Sequence, residues 1–142
     1  GLFYENELVS ILTYGKARFD KSYDYEILRF CNKKGYSVVG GMSKLISYMD
    51  TLENKPSIIT YADLRFGDGV SYTKTGFNFK TKTKPGFFYT NYLKRFSRVK
   101  FQKHKLNNIL EIFNPTLTAW QNMQLNGYDR IWDCGCNVFI RK

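Results

Sequence analysis

The stretch 25–61 constrains the fold more than any other part of the chain. Residues 25–31 alternate in polarity as a strand does, with Ile27 and Arg29 on the face opposite Leu28 and Phe30. Ser37-Val38-Val39-Gly40-Gly41-Met42-Ser43-Lys44 follows. From Ser43 to about Leu52 the apolar residues Leu45, Ile46, Met49 and Leu52 then recur at helical spacing. Asn54-Lys55-Pro56 ends that helix, and 57–61 is a short β-branched strand. Strand, helix and strand in this order make a βαβ unit, whose crossover leaves the two strands parallel. Two adjacent glycines before the helix let the backbone take positive φ and approach a ligand closely. The first amides of the helix have no partner within it, and with the helix dipole they form a site for an anion such as phosphate. The same residues also suit a plain tight turn between strand and helix.

A chain of 142 residues, 43% hydrophobic and 18% aromatic, is expected to be one globular domain of ordinary size. No apolar run approaches the ~20 residues of a membrane span, and no secretory leader is visible. Residues 1–4 already read as strand, so the chain is expected to begin in mid-fold. The net charge is +10, and its placement is uneven. Residues 69–110 hold no Asp or Glu but ten Lys or Arg: Lys74, Lys80, Lys82, Lys84, Lys94, Arg95, Arg98, Lys100, Lys103 and Lys105. Localised basic charge points to a polyanion, most often nucleic acid, or else to a solvated basic face. Cys31, Cys134 and Cys136 are an odd number and no disulfide framework, which fits a reducing compartment.

On the N-terminal side, 2–4 and 8–13 read as a hairpin turning at Glu5-Asn6-Glu7, with 14–20 leaving as a loop. After the βαβ unit, 62–69 is a glycine-rich loop and 70–75 a short helix closed by Gly76. Strands are expected at 77–80, 86–90 and 98–102. Helices are expected at 104–113 and 117–125, and a terminal hairpin at 128–141 turning near Cys134-Gly135-Cys136. In a strand at 98–102, Arg98, Lys100 and Gln102 share one face, and Val99 and Phe101 bury on the other. The cations meet phosphates without reading sequence, while Phe87, Tyr89 or Tyr92 either stack on unpaired bases or belong to the core. His104 is the single histidine, so no Ser-His-Asp or Cys-His arrangement stands out and no metal site is expected.

The order of elements over residues 1–101 resembles the GNAT N-acetyltransferase fold. The resemblance rests on the strand–glycine turn–helix and on Tyr72-Thr73-Lys74-Thr75-Gly76-Phe77, similar to the family's Tyr-x-x-x-Gly-Phe. It implies an α/β (α+β) fold: a mixed sheet with a central βαβ crossover, then a C-terminal helical segment and hairpin. The core would span 1–102 without the family's first strand and helices, and 103–142 would pack on the same domain. A cofactor role in holding acetyl-CoA or another acyl-CoA falls to Val38, Val39, Gly40, Gly41, Met42, Ser43 and Lys44, although this turn departs from the usual basic-x-x-Gly-x-Gly spacing.

A closer resemblance covers most of the chain. The phrases LVSILTYGKARF, EILRFCNKKGYSVVGG, SKLISY, SIITYADLRFGDG, SYTKTGF, RFSRVKFQKHKL and WQNMQLNGYDRIWDCG resemble the C-terminal portion of phage-encoded homing endonucleases. Those proteins carry a nuclease domain similar to very-short-patch-repair endonuclease, and the shared portion is similar to the phage Mom DNA-modification proteins. Arg29, Ser43 and Tyr61-Ala62-Asp63 are the positions shared with Mom. The resemblance implies a DNA-binding acetyltransferase-like domain or, alternatively, an acyl-CoA-dependent N-acyltransferase acting on nucleic acid. It implies a phage protein in the bacterial cytoplasm, with an upstream nuclease domain or another chain completing the fold. The implied catalytic residues are Asp63, Tyr72, Arg29 and Ser43. Asp63 either orients or deprotonates an amine or forms an Asx turn. Arg29 holds a phosphate, pairs with Asp63 or forms a simple salt bridge on its strand. Tyr72 serves as general acid to the thiolate or packs. The implied DNA contacts are Lys82, Lys84, Lys94, Arg95, Arg98, Lys100, Lys103 and Lys105.

Overall fold

The structure is a computed structural model describing residues 1–142. Its first elements are β1 (Leu2–Tyr4) and β2 (Glu7–Lys16), antiparallel across a two-residue turn. Glu5 and Asn6 both have positive φ (48° and 63°), the mirror-image turn whose twist matches that of paired strands. β2 runs three residues past the expected 8–13, because Tyr14, Gly15 and Lys16 find partners in β3 (Tyr25–Asn32). The β2–β3 register shifts between Thr13, opposite Arg29, and Tyr14, opposite Ile27, so Leu28 is the extra residue of a bulge. The bulge breaks the simple alternation expected of this strand. Ile27 is buried, whereas Leu28 and Arg29 are both exposed and Phe30 is half-buried.

The βαβ unit is present. Helix α1 (Gly41–Leu52) connects β3 to β4 (Ile58–Asp63), and the two strands pair in parallel. The parallel rungs run from Tyr25–Ile58 to Ile27–Thr60 only, although β3 continues to Asn32 and β4 to Asp63. The strands therefore part at their C-terminal ends, where α1 begins. Leu45, Ile46 and Met49 are buried, but Leu52 is exposed, so the apolar stripe stops one turn short of the helix end. The short helix α2 (Val70–Thr73) leads to β5 (Asn78–Lys82).

The first sheet has the order β1-β2-β3-β4-β9-β5, where β9 is Cys136–Arg141. Its only parallel pair is β3–β4, so the fold is a mixed α/β, α+β architecture with few helices. Ile27, Ile46, Met49, Ile58, Phe77 and Phe139 fill one face. Ala17, Tyr23, Ile59 and Val138 fill the other. The adjacent residues Ile58 and Ile59 point to opposite layers, as the period of a strand requires.

The chain divides into two compact units, Gly1–Thr83 with Gly135–Lys142, and Lys84–Cys134. The boundary expected after residue 102 falls inside the second unit. That unit is a three-stranded antiparallel sheet, with β6 (Phe87–Thr90) between β7 (Arg95–Ser97) and β8 (Asp129–Trp132). Its own core is Tyr89, Phe101, Leu106, Leu110 and Met123.

Three expected elements differ here. Residues 98–102 are not a strand: β7 ends at Ser97, whose hydroxyl accepts the Val99 amide, and Arg98–Phe101 form a 3-10 turn. Phe101 is consequently buried while Val99 is exposed, so the two do not share a buried face. Residues 104–113 are not one helix but a 3-10 segment at Lys103–Asn108. Asparagine side chains replace the helical bonds beyond it. The buried Asn122 amide accepts from Asn114 N at 2.7 Å and donates to Asn114 O at 2.9 Å. Asn126 holds the Ile112 amide and carbonyl at 3.1 and 2.7 Å. Helix α3 (Ala119–Leu125) does form, started by a Thr118–Gln121 capping box. Finally, 128–141 is not a hairpin: β8 pairs with β6, and β9 enters the first sheet between β4 and β5.

Candidate functional site

The turn before α1 is shaped by its two glycines for different reasons. Gly40 has φ 68°, the left-handed region, and opens onto free space. Gly41 is closed in. A Cβ there would lie 2.9 Å from Val38 Cγ1 and 3.3 Å from the buried Ser10 hydroxyl, which has no hydrogen-bond partner. The Gly41 amide is used by the Val38 carbonyl at 3.1 Å, and the Lys44 amide by Gly40 O at 3.0 Å. No side chain caps the helix and no acid stands in its first turn, so the Met42 and Ser43 amides receive no capping acceptor.

These amides border a cavity of about 250 Å³ in which Val38, Gly40, Gly41, Met42 and Ser43 meet Asn32, Ser71, Lys74 and Thr75. Five of the seven residues expected to hold an acyl-CoA thus share one surface. Val39 and Lys44 do not line it and point to solvent. A cavity framed by free amides and one lysine suits a phosphate-bearing ligand. Asn32, Ser71, Lys74 and Thr75 were not expected at this turn, although Lys74 belongs to the basic segment and both Lys74 and Thr75 lie within the Tyr72–Phe77 motif.

The four expected catalytic residues are not brought together. Ser43 lines the cavity and Arg29 does not; Arg29 is exposed and forms no ion pair, so it does not join Asp63. Asp63 instead binds its own loop. Its Oδ1 accepts the Arg65 amide at 3.0 Å, and the Arg65 guanidinium pairs with Oδ2 at 2.5 Å. The Arg65 hydrogen bonds hold the Asp63 carboxyl below the usual range. The bond to the Arg65 amide has the geometry of an Asx turn. Tyr72 packs: its ring lies 5.6 Å from both Phe77 and Phe139.

The expected DNA contacts fall on both units. Lys82 is exposed on β5 in the first unit, and Lys84, Lys94, Arg95, Arg98, Lys100, Lys103 and Lys105 belong to the second. Five ion pairs, Arg18–Glu26, Lys33–Glu7, Arg65–Asp63, Lys80–Asp20 and Arg141–Asp50, lie within the first unit. None of the eight Lys and Arg of the second unit is in a salt bridge, and they face three acids there, Glu111, Asp129 and Asp133.

Several of these cations stand on aromatic rings instead. Arg95 lies 4.6 Å from the Phe88 ring centre and Lys100 5.3 Å from Phe96. The β6–β7 turn carries Tyr92 and Leu93, 79% and 88% exposed, beside Lys94 and Arg95. Tyr92 holds φ 69° without being glycine, a conformation that costs roughly 1–2 kcal/mol. Of the three rings considered for stacking, Tyr92 is exposed, its hydroxyl 3.5 Å from Asp129 Oδ2, Tyr89 is core, and Phe87 is half-buried.

Arg130 is the residue that sequence reasoning missed. Its guanidinium lies between Phe87 at 4.4 Å and Trp120 at 4.2 Å. It follows Asp129 in a tail expected to form a hairpin, so nothing local set it apart from a solvated strand residue.

No group of three or more His, Cys, Asp or Glu is placed to hold a metal ion. No helix is long and apolar enough to cross a membrane. No family model matches the chain, and no curated protein matches it.

Proposed function

We propose that this chain is a DNA-binding module with an acetyltransferase-like core, part of a phage-encoded homing endonuclease or DNA-processing protein. The observation that carries the reading is the second unit's set of eight Lys and Arg, none of them ion-paired. A folded unit that keeps its cations apart from carboxylates leaves them available for phosphates. Each phosphate bound then releases counterions and makes binding depend steeply on salt. The exposed Tyr92-Leu93 tip beside Lys94 and Arg95 adds the interleaving of rings and cations that suits a nucleic acid.

The test is a DNA titration at several salt concentrations, with the wild type and a variant carrying alanine at Lys94, Arg95, Arg98 and Lys100. The variant should bind more weakly, with the log–log salt slope reduced by about 0.9 for each phosphate it no longer neutralises. Equal affinity and slope for the two proteins would remove this reading.

A second reading is an acyl-CoA-dependent N-acyltransferase that modifies nucleic acid. It is favoured by the cavity at the glycine turn and by the parting of β3 from β4 beside it. The parting leaves strand backbone open next to the uncapped amides of α1, as an extended phosphate-bearing cofactor requires. It stands second because Asp63 is bound to Arg65 and Arg29 lines no part of the cavity.

A further inference from the structure

A cavity of about 420 Å³ lies within the second unit. Phe87, Tyr89 and Phe101 supply its apolar wall, and Arg98, Lys103 and Arg130 supply its polar groups. No carboxylate lines it, so three cations surround one hollow without a counter-charge.

Arg130 is the most constrained of the three. Its guanidinium carbon lies 4.4 Å from the Phe87 ring centre and 4.2 Å from that of Trp120, and the residue is half-buried. Its buried Nε finds no acceptor in the chain, and Nη2 reaches only the Tyr89 hydroxyl, at 3.5 Å. A buried donor without an acceptor is costly, and an anion in the hollow would supply one. Arg98 adds a second guanidinium on Phe87, at 5.8 Å. Guanidinium groups match phosphate oxygens two at a time, and they offer flat faces to a base.

We propose that this cavity receives one unpaired nucleotide of a DNA strand, its phosphate held by Arg98, Lys103 and Arg130 and its base set against Phe87, the half-buried ring of the wall. The volume matches a small-molecule site, and a paired duplex does not enter a hollow of this size. The inference rests on the DNA-binding reading and adds to it a preference for single strands, frayed ends or extruded bases.

The test compares a fluorescein-labelled single strand of about twelve nucleotides with the blunt duplex of the same sequence, by anisotropy. Arg98→Gln and Lys103→Gln probe the cavity. Lys84→Gln and Lys105→Gln, exposed cations of the same unit outside it, are the comparison. The wild type should bind the single strand at least as tightly as the duplex. Each cavity variant should lose about tenfold on the single strand, the size of one charge-assisted hydrogen bond, and no more on the duplex than the comparison variants lose. Equal losses on both DNA forms would overturn the cavity assignment, and so would binding to duplex alone. Absence of binding to either form would instead remove the DNA-binding reading beneath it.

Discussion

At the scale of single residues, the first unit is held by a buried charge whose partner is largely in water. Glu26 has a fully buried carboxylate, and its Oε1 accepts from Arg18 Nη2 at 2.6 Å, while the Arg18 side chain is 60% exposed. Burial pushes the Glu26 carboxyl up, but the Arg18 hydrogen bonds outweigh it and hold the group below its ordinary value. A carboxylate depressed in this way contributes stability above its unfolded pKa, and the contribution is lost as pH falls through the folded one. Asp20, held at about 2 by Lys80 and by Ser22, follows the same sign at lower pH.

The two members of the pair are therefore unequal. Removing Glu26 frees an arginine that hydrates easily, whereas removing Arg18 strands a carboxylate with little beyond the residue-18 amide, at 3.2 Å. Arg18→Ala should cost about 2–3 kcal/mol at neutral pH. It should also reverse the local pH dependence. With its pKa raised by burial, Glu26 favours folding when protonated, so the variant gains stability as pH falls from about 7 to 4.5, where an ordinary carboxylate stays charged. Urea unfolding followed by circular dichroism reads both effects. Parallel behaviour of variant and wild type across that window would show that Glu26 is not the group concerned. Nothing in the local sequence pattern marks this pair, because the 17–24 loop brings the two residues together.

At the scale of elements, the parts that follow local rules were legible in the sequence. The helix at 43–52 was announced by the spacing of Leu45, Ile46 and Met49, and the parallel strands by the strand–helix–strand order. The left-handed Gly76, φ 85°, in the turn after α2 followed from residue type alone, although the helix itself ends at Thr73 rather than 75. Long-range competition was not legible. Residues 128–141 contain two genuine strands, β8 and β9, but each finds its partners in sequence-distant strands rather than in the other. Residues 104–113 have a helical apolar pattern, yet the Asn122 and Asn126 side chains bond the backbone of Asn114 and Ile112 in place of a helix.

The turn at α1 offers the element-scale test of the second functional reading. If the cavity at Val38–Ser43 holds an acyl-CoA, saturating acetyl-CoA raises the melting temperature, as any ligand of the native state does. Ser43→Glu places a carboxylate at those amides and should abolish the shift while leaving the ligand-free melt close to wild type, since an acid at a helix start is favourable. No shift in the wild type would remove the transferase reading and leave the turn as a structural hinge between β3 and α1.

At the scale of the whole chain, the second unit is an insertion with closed ends. Thr83 and Cys136 exchange two hydrogen bonds in the first unit, Thr83 N to Cys136 O and Cys136 N to Thr83 Oγ1, each 2.9 Å. Gly86 and Asp133 do the same in the second, with Gly86 N to Asp133 Oδ1 at 2.7 Å and Asp133 N to Gly86 O at 2.9 Å. The chain thus leaves and re-enters the first sheet at neighbouring points, which is why an order of elements read as one domain put the boundary elsewhere. The basic segment was visible as a run of residues. That seven of its ten cations fall in the second unit, and that Lys80 alone of the ten is ion-paired, became visible only with the fold.

The central claim is that DNA binding resides in residues 84–134. The direct test compares the full chain with one in which 84–134 is replaced by a short Gly-Ser linker from Thr83 to Gly135. Both are titrated with the same labelled DNA across a range of salt. The account predicts that the full chain binds with a steep salt slope. The shortened chain, still cooperatively folded by circular dichroism, should lose most of both the affinity and the slope. A folded shortened chain that binds as tightly and as salt-dependently as the full one would contradict it.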